Sequence, residues 1–379
     1  EDKLEPTAVP SYYIVYTRTD EGDWDNGVRV NSHEYSFAAE PGKRYDICVA
    51  AGNAGGLSMK SEVLTAYIAP EEKGTVLIVN GFDRVSGPEW WSDSIYGGIR
   101  PNSHAVPYGK GVNYIGEVYD YDSRNEWVTD DNCGWGMCHS DHMDHPTAGN
   151  TFDYPVMHGK VLQKMGYSYV TTSVAALDSI AGYDAVDVIL GKQKTTVLGK
   201  DTSFHCMPAN LRHALTNYLQ QGGRLLLSGA YIASDMLSEE EKAFVKEQLH
   251  YEFRTTHASK TGKLRVERML KKGNYSFRTE PNETMLHTEN ADGIYPAEGG
   301  VVVARFPEAN VAAAIGYEAP KKSADFSGTP QARGDEAKGE RREARGEKTL
   351  CWSIMLESAY EFEALYRESM EWVMRKTER

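Results

Sequence analysis

The sequence predicts an all-β stretch over residues 1–70, followed by an α/β domain with a doubly wound parallel sheet over residues 71–379. Short segments of alternating apolar and polar residues fill the first stretch, as they do in β-sandwiches. Continuous apolar runs recur in the second part, as in parallel strands that are buried on both faces. Helical patterns lie between these runs, and strands that alternate with helices indicate a doubly wound sheet.

The composition indicates a folded, acidic protein without a nucleic-acid or membrane partner. The chain has 41 basic and 55 acidic residues among 379, and its net charge of −14 opposes binding to nucleic acid or anionic lipid. No apolar run approaches the ~20 residues that a membrane-spanning helix needs. Five cysteines do not form a disulfide framework at this length. Cys133 and Cys138 either pair across a tight loop or remain thiols.

Turn residues divide the first stretch into five predicted strands. These strands cover residues 12–18, 27–30, 34–38, 44–53 and 61–69. The segments YIVYTR and YDICVAAGNAGGLSMKSE resemble part of a fibronectin type III domain, the second one its F strand, FG loop and G strand. The match begins at the C strand, so the resemblance implies a partial sandwich that continues into domains upstream of Glu1. We expect another part of the protein to cover its open edges.

Residues 70–74 are a predicted linker, after which the pattern changes. Four continuous apolar runs follow at residues 75–80, 167–173, 185–190 and 223–229. Pro155 suits the first turn of a helix that ends at Gly166. A second helix is predicted over residues 209–221, where two glycines end it.

The last third of the chain predicts an extension of the same sheet. Residues 251–317 are β-rich with frequent turns, which indicates antiparallel strands at the sheet edge. Residues 323–348 have few apolar side chains and alternating charges, as in a solvated insertion. Residues 349–356 predict a last buried strand. The final helix carries an apolar face made of Phe362, Leu365, Tyr366, Ser369, Met370 and Val373.

Four segments of the second domain resemble one family. They are VLIVNGFDRV from Val76, GNTFDYPVMHGKVLQKMGYSYVTTS from Gly149, D-x-V-D-V-I-L-G-K-Q from Asp184 and LRHALTNYLQQGGRLLLSGAYIASD from Leu211. Together they are similar to secreted bacterial proteins labelled golvesin-like, xanthan lyase or N-acetylmuramoyl-L-alanine amidase, in which a fibronectin type III module often precedes this domain. The resemblance implies a flavodoxin-like fold of the class I glutamine amidotransferase-like group. It also implies a secreted, periplasmic or cell-surface location.

The sequence departs from the amidotransferases at their nucleophile. In those enzymes a cysteine lies in a sharp turn after the strand that matches residues 223–229, whereas this chain continues with Ser228, Gly229, Ala230 and Tyr231. Glutaminase chemistry through a Cys–His pair is therefore not expected. Ser228 either replaces the thiol as a nucleophile or is a small residue at a tight strand end.

Residues 132–158 concentrate side chains that bind metals or move protons. The span NCGWGMCHSDHMDHPTAGNTFDYPVMH lies on a backbone interrupted by glycine and proline, which favours a functional site. His139, Asp141 and His142 have a spacing compatible with zinc held by three protein groups and a water. Such a water would attack an amide or ester carbonyl. Alternatively, His142 and His145 are solvated loop residues, because the spacing matches no strong zinc motif.

A second group of residues is predicted to carry acid–base chemistry. Asp153 and His158 are about one helical turn apart and would form a general base, although His158 is equally well explained as a buried helix histidine bonded to Asp153. Asp83 and Arg84 would face them as a second charged pair. With the family resemblance, the working groups are His139, Asp141, Asp153 and His158.

The predicted binding cleft lies beyond the carboxyl ends of the parallel strands, where ligands bind in open sheets. An insertion over residues 85–150 must fold over the same edge and is rich in aromatic residues. These rings either stack on sugars or form the insertion's own small core. The predicted substrate-binding residues are Arg84, Trp135, Asn150 and Tyr231.

Two functions of different classes follow from these patterns. The first is a secreted hydrolase that cleaves an amide or ester in a cell-wall glycan such as peptidoglycan, or in another extracellular glycan, with zinc as the candidate cofactor. The alternative is a non-catalytic glycan-binding module with an aromatic-lined cleft, which the missing cysteine favours. A polysaccharide lyase is a third option, in which Lys192, Lys194 and Arg84 would neutralise a uronate.

Overall fold

The structure, a computed structural model, describes residues 9–58, 60–82, 90–92, 97–99, 110–112, 118–120, 153–177, 180–198, 202–279, 286–288, 290–319 and 346–375. The first strands are β1 (Tyr12–Thr19), β2 (Val28–Val30), β3 (Arg44–Asn53), β4 (Gly56–Leu57), β5 (Leu64–Tyr67) and β6 (Thr75–Asn80). The short strands β7 (Trp90–Ser92), β8 (Gly97–Ile99), β9 (Lys110–Val112) and β10 (Val118–Asp120) form two antiparallel pairs.

Helices appear in the second part of the chain. It continues with α1 (Tyr154–Met165), β11 (Ser168–Ser173), β12 (Ala185–Gly191), β13 (Thr196–Leu198), β14 (Thr202–Phe204), α2 (Ala209–Gln220), β15 (Arg224–Gly229) and α3 (Glu239–Glu247). Next come β16 (Tyr251–Thr255), β17 (Lys263–Val266), β18 (Gly273–Ser276), β19 (Gly293–Pro296), β20 (Val301–Phe306) and β21 (Val311–Glu318). The described chain ends with β22 (Lys348–Trp352), the 3-10 turn Leu356–Ser358 and α4 (Phe362–Met374).

Sixteen of these strands form one sheet. Its order is β18-β17-β20-β21-β22-β15-β12-β6-β11-β5-β3-β1-β2, with β16 and β19 attached at β21 and β4 attached at β3. The neighbours from β22 to β11 are parallel. Antiparallel pairs continue the sheet on both sides, β21 beside β22 and β5 beside β11.

The predicted flavodoxin-like, doubly wound parallel sheet is wrong. The described residues form mainly one mixed sheet of 16 strands with four α-helices. The physical reason is that antiparallel strands extend both edges of the short parallel centre. The strands of residues 1–70 join this sheet as well, and among the described residues they form no separate two-sheet sandwich. Residues 34–38, predicted as a strand, have no regular secondary structure.

Individual strands occur where the apolar runs predict them. The four runs form β6, β11, β12 and β15, and the antiparallel strands predicted over residues 251–317 are confirmed. Val76, Ile78, Val186, Val188 and Leu226 have no exposed surface, since both faces of the parallel centre are covered. A strand buried on both faces gains from apolar side chains at every position, which explains the continuous runs.

Helices cover the parallel centre from two sides. Leu162 of α1 and Leu365 of α4 share one core with Ile78. Leu215 of α2 and Val186 belong to a second core on the opposite face. The predicted bounds of α1 and α2 and the predicted apolar face of α4 are confirmed. Helix α3 was not predicted, although its start carries a capping box.

Helix α1 packs against β11 through a glycine, Gly159. Pro155 is in its first turn, and Gly166 ends it in the left-handed conformation at φ 82°. A Cβ at Gly159 would lie 2.6 Å from the hydroxyl oxygen of Tyr169 on β11. A glycine in mid-helix is unfavourable by itself, so it indicates close packing at this position. This contact sets the height of α1 above β11.

Polar contacts tie the first strands to α1. Arg44 on β3 is 2% exposed, contacts Asp46 with its Nε at 3.0 Å and donates to Gln163 of α1 at 3.3 Å. Lys160 of α1 forms an ion pair of 2.8 Å with Glu21. The buried Arg44 contact and the exposed Lys160 ion pair both join α1 to the first strands.

Several sequence predictions lie outside the described residues. These are the fold and aromatic rings of the 85–150 insertion beyond its four short strands, the pairing of Cys133 and Cys138, and most of the 323–348 insertion. The last residue of that charged insertion, Lys348, starts β22 and is 1% exposed, so the strand begins one residue earlier than predicted. No helix among the described residues has the length and apolar character to cross a membrane.

Candidate functional site

A cluster of polar side chains lies at the carboxyl end of the parallel strands, on the face covered by α1 and α4. Asn80 at the end of β6, Ile189 on β12 and Ser228 on β15 occupy one row of the sheet, and Trp352 on β22 continues it. Residues in the same row of parallel strands point to the same face. Ile189 and Trp352 belong to the core under α1 and α4, so Asn80 and Ser228 point to that side. Ligands of open parallel centres bind at this edge.

Asn80 and Ser228 are buried and lack hydrogen-bond partners within the part of the chain that the structure describes. Asn80 is 2% exposed and Ser228 has no exposed surface. Among the described residues, neither the amide oxygen and nitrogen of Asn80 nor the hydroxyl of Ser228 has a hydrogen-bond partner. An unsatisfied buried polar group costs about 1–3 kcal/mol. Two such groups in one row of the sheet favour a place where a bound molecule or water supplies the hydrogen bonds.

Asp187 precedes Ile189 by two residues on β12 and therefore points to the same face. There, His158 of α1 lies between two carboxyl groups. Its Nδ1 is 2.6 Å from Oδ2 of Asp187 on β12, and its Nε2 is 3.1 Å from Oε1 of Glu357 in the 3-10 turn. The hydroxyl of Tyr366 on α4 donates to the same Asp187 oxygen at 2.7 Å. All four side chains are almost completely buried. The contact with Glu357 lacks hydrogen-bond geometry and is an ion pair.

These carboxyl groups decide the charge of His158. Burial alone would lower its pKa, but Asp187 and Glu357 outweigh burial and raise the pKa of His158 to about 9. The imidazole is therefore protonated at neutral pH, and its Nδ1–H donates to Asp187. Burial, together with Asp187, also raises the pKa of Tyr366 well above its ordinary value. His158 is thus a buried cation and not a ready proton acceptor.

A cationic rim lies beside this group. Nζ of Lys192, directly after β12, is 2.8 Å from Nε2 of His287. The neighbouring Thr288 hydroxyl is 3.0 Å from the hydroxyl of Ser358, which follows Glu357 in the chain. The segment with His287 therefore packs against the 3-10 turn that carries Glu357.

The turn after β15 is held by two buried acids. Asp292 accepts hydrogen bonds from the backbone N–H groups of Ala233 and Ser234, at 3.0 and 2.7 Å. Burial raises the pKa of Asp292 to about 6, although these hydrogen bonds oppose the change. Burial likewise raises the pKa of Asp235, whose carboxylate accepts from the Thr195 N–H. Asp292 thus holds the backbone that follows Ser228, and Asp235, which lies in the same turn, ties it to Thr195.

The structure brings together only some of the predicted site residues. His158 and Ser228 lie on the same face of the sheet, whereas Asp153 does not contact His158 and instead lies 3.4 Å from Nη2 of Arg18. Burial raises the pKa of Asp153, and Arg18 opposes this change. Tyr231 is 3% exposed, with Nζ of Lys194 5.1 Å from its ring centroid. The other predicted site residues lie outside the described residues, namely Asp83, Arg84, Trp135, His139, Asp141, His142 and Asn150.

Sequence reasoning missed Asn80, Asp187 and Glu357. Asp187 carries a signal, because it interrupts the apolar run AVDVIL and a carboxylate in a fully buried strand needs a partner. Glu357 carries none, since nothing in its sequence neighbourhood indicates burial. Among the described residues, no three His, Cys, Asp or Glu side chains are placed to hold a metal ion. The predicted zinc ligands His139, Asp141 and His142 belong to the part that is not described and stay a prediction.

Comparisons with family models, curated proteins and solved structures find no match to this chain. The resemblance to the golvesin-like and amidase-labelled proteins therefore stays a prediction.

Proposed function

We propose that the protein is a hydrolase that cleaves an amide or ester bond in a cell-wall or extracellular glycan, acting outside the cytoplasm. The observation that supports this proposal is that Asn80 and Ser228, two buried side chains in one row at the carboxyl edge, have no hydrogen-bond partner in the described part of the chain. A hydroxyl and a carboxamide are suitable groups for acyl transfer. The hydroxyl can serve as nucleophile, and the amide N–H can stabilise an oxyanion.

In this mechanism the Ser228 oxygen attacks the carbonyl carbon and passes its proton to a base. The carbonyl oxygen becomes negative and accepts a hydrogen bond from the Asn80 amide. The C–N or C–O bond then breaks, the leaving group takes the proton from the base, and water releases the acyl group from Ser228 by the same steps. His158 does not suit the role of base, because Asp187 and Glu357 keep it protonated. The role falls to the predicted pair His139 and Asp141.

A specific observation favours the second candidate, a glycan-binding module without catalysis. Two predicted acid–base groups are engaged in other contacts, His158 with Asp187 and Glu357, and Asp153 with Arg18. In this case Asn80 and Ser228 would hydrogen-bond a sugar hydroxyl or acetamido group.

One experiment separates the two candidates. Wild-type protein, S228A and N80A are tested for release of acetate or amine from acetylated glycan and peptidoglycan, and for binding to the same polymers by affinity electrophoresis. For a hydrolase, S228A abolishes release but keeps binding, and N80A lowers kcat roughly 100-fold. For a binding module, wild type releases nothing, and both variants bind more weakly.

A matched control addresses stability. Ser369 on α4 is also fully buried, but its hydroxyl accepts from Trp352 and donates to Leu365. S369A loses two hydrogen bonds and S228A loses none, so S369A is the more destabilised protein. Release that is unchanged in S228A and N80A would exclude this site, and release that falls equally in S369A would assign the effect to stability.

A further inference from the structure

Arg278 has an unusual environment for an arginine in this acidic chain. It is half-buried, and among the described residues its guanidinium contacts no carboxylate. Other partly buried arginines pair with acids: Arg18 with Asp46 at 2.9 Å, and Arg305 with Glu267 at 3.2 Å. A half-buried cation is expected to have an anionic partner, because it has lost part of its hydration.

The backbone of Arg278 places this cation at the rim of the candidate site. Its N–H donates to the carbonyl of Ser358 at 2.9 Å, and its own carbonyl accepts from Thr288 at 2.8 Å. Ser358 follows Glu357, the partner of His158, and Thr288 follows His287, the partner of Lys192. Arg278 and Lys192 therefore belong to one connected rim.

Hydrogen bonds and a ring contact fix the orientation of the Arg278 guanidinium, and one of its edges has no acceptor among the described residues. Its Nη1 donates to the carbonyls of Ser358 and Ala359 at 3.3 and 3.5 Å. Its Cζ lies 4.4 Å from the ring centroid of Tyr360, whose side chain is 61% exposed. Nε and Nη2 have no protein acceptor among the described residues. Two parallel N–H groups match the two oxygens of a carboxylate.

We infer that Arg278 and Tyr360 form a subsite that binds a carboxylate carried by a sugar ring. Nε and Nη2 of Arg278 hold the carboxylate, and the face of Tyr360 that Arg278 does not cover stacks on the apolar face of the sugar. The inference rests on the proposal that the site takes a glycan, and it adds that the glycan is acidic.

The test is a titration of the whole chain with four sugars at low ionic strength, in which binding is monitored by NMR of the sugar signals. N-acetylmuramic acid is paired with neutral N-acetylglucosamine, and glucuronic acid with neutral glucose. R278Q is expected to weaken binding of an acidic sugar about three- to tenfold and to leave the neutral sugars unchanged. The acidic sugar that responds shows whether a lactyl or a uronic carboxylate is bound.

Arg254 offers a matched control. It lies 5.0 Å from the ring centroid of Tyr295, a tyrosine that is 41% exposed and belongs to β19, outside the rim. R254Q removes the same charge and should not change binding of any of the sugars. Y360A should weaken binding of the acidic sugar, whereas Y360F should retain it.

Three results would overturn the subsite. They are wild-type protein that binds neither acidic sugar, R278Q that binds like wild type, and R254Q that is as weak as R278Q. The outcome is independent of hydrolysis. If no bond is cleaved but R278Q loses affinity, the subsite stands and the hydrolase proposal fails. If cleavage depends on Ser228 but binding does not depend on Arg278, the hydrolase proposal stands and the subsite fails.

Discussion

The protonated His158 between Asp187 and Glu357 gives a prediction about stability and pH. In the folded chain its pKa is about 9, against 6.5 for an unperturbed histidine. The folded state therefore keeps a proton that the unfolded state loses. The stabilisation is fully present below about pH 6.5 and is lost as the pH rises through about 9. The difference between these values, at ~1.4 kcal/mol for each pH unit, is about 3 kcal/mol.

The perturbation is H158Q. It removes the cation and leaves Asp187 and Glu357 buried without it, which costs about 3–5 kcal/mol near neutral pH. At about pH 9.5 the wild type has lost its proton-linked stabilisation, so the gap between the two proteins should shrink by about 3 kcal/mol. Groups that lie away from His158 titrate alike in both proteins and cancel in this difference.

The assay is urea unfolding at about pH 6 and about pH 9.5, monitored by circular dichroism. H213Q is the control, because His213 lies on the exposed side of α2 and its loss should change the free energy of unfolding by less than about 0.5 kcal/mol. A gap between wild type and H158Q that stays constant over this pH range would refute the reasoning. It would mean that His158 is neutral in the folded chain.

Three further predictions concern positions away from His158. D292N should stabilise the protein at about pH 7.5 by about 1–2 kcal/mol. Burial raises the pKa of Asp292 to about 6, so the folded state loses stability as the pH rises towards this value and the buried carboxyl group ionises. Urea unfolding at about pH 4 and pH 7.5 checks this, and parallel losses in both proteins would contradict it. G159A should lower the melting temperature, although alanine favours helices, since its Cβ would meet Tyr169 at 2.6 Å. S238A should cost about 1 kcal/mol by breaking the capping box with Glu241, and S238T should restore most of it.

Local sequence signals identified most of the strands and three of the four described helices, because these signals depend on the residues of each element alone. The run TVLIVN is apolar throughout because β6 is buried on both faces, and this is visible without its neighbours. Pro155 and Gly166 mark the ends of α1 for reasons of backbone conformation alone. Such features do not depend on how the strands are assembled.

The order of strands could not be read in this way. Periodicity shows that a segment is a strand and which of its faces is buried, but not which strand lies beside it. The antiparallel pairing of Tyr67 on β5 with Tyr169 on β11 joins residues about a hundred positions apart, and it is one reason why the predicted parallel sheet was wrong.

The candidate site was harder still, because its partners are distant in the sequence. The sequence indicates Asp153 as the partner of His158, since it lies about one helical turn away, but Asp153 is at the N-terminus of α1 and contacts Arg18. The actual partner, Asp187, is joined to Tyr366 across 179 residues of sequence. A charged residue inside an apolar run shows that a partner must exist, but not where it is.

The pairing of β5 with β11 affects whether either part of this chain can be moved into another protein as a module. If the chain were cut at residues 70–74, the second part would keep β11 with an unpaired edge, and the first part would lose the helix that Arg44 contacts. Unpaired edges pair readily with other chains. The first strands are thus a built-in cover for the edge of the larger unit. A recombined protein would need another strand to cover that edge.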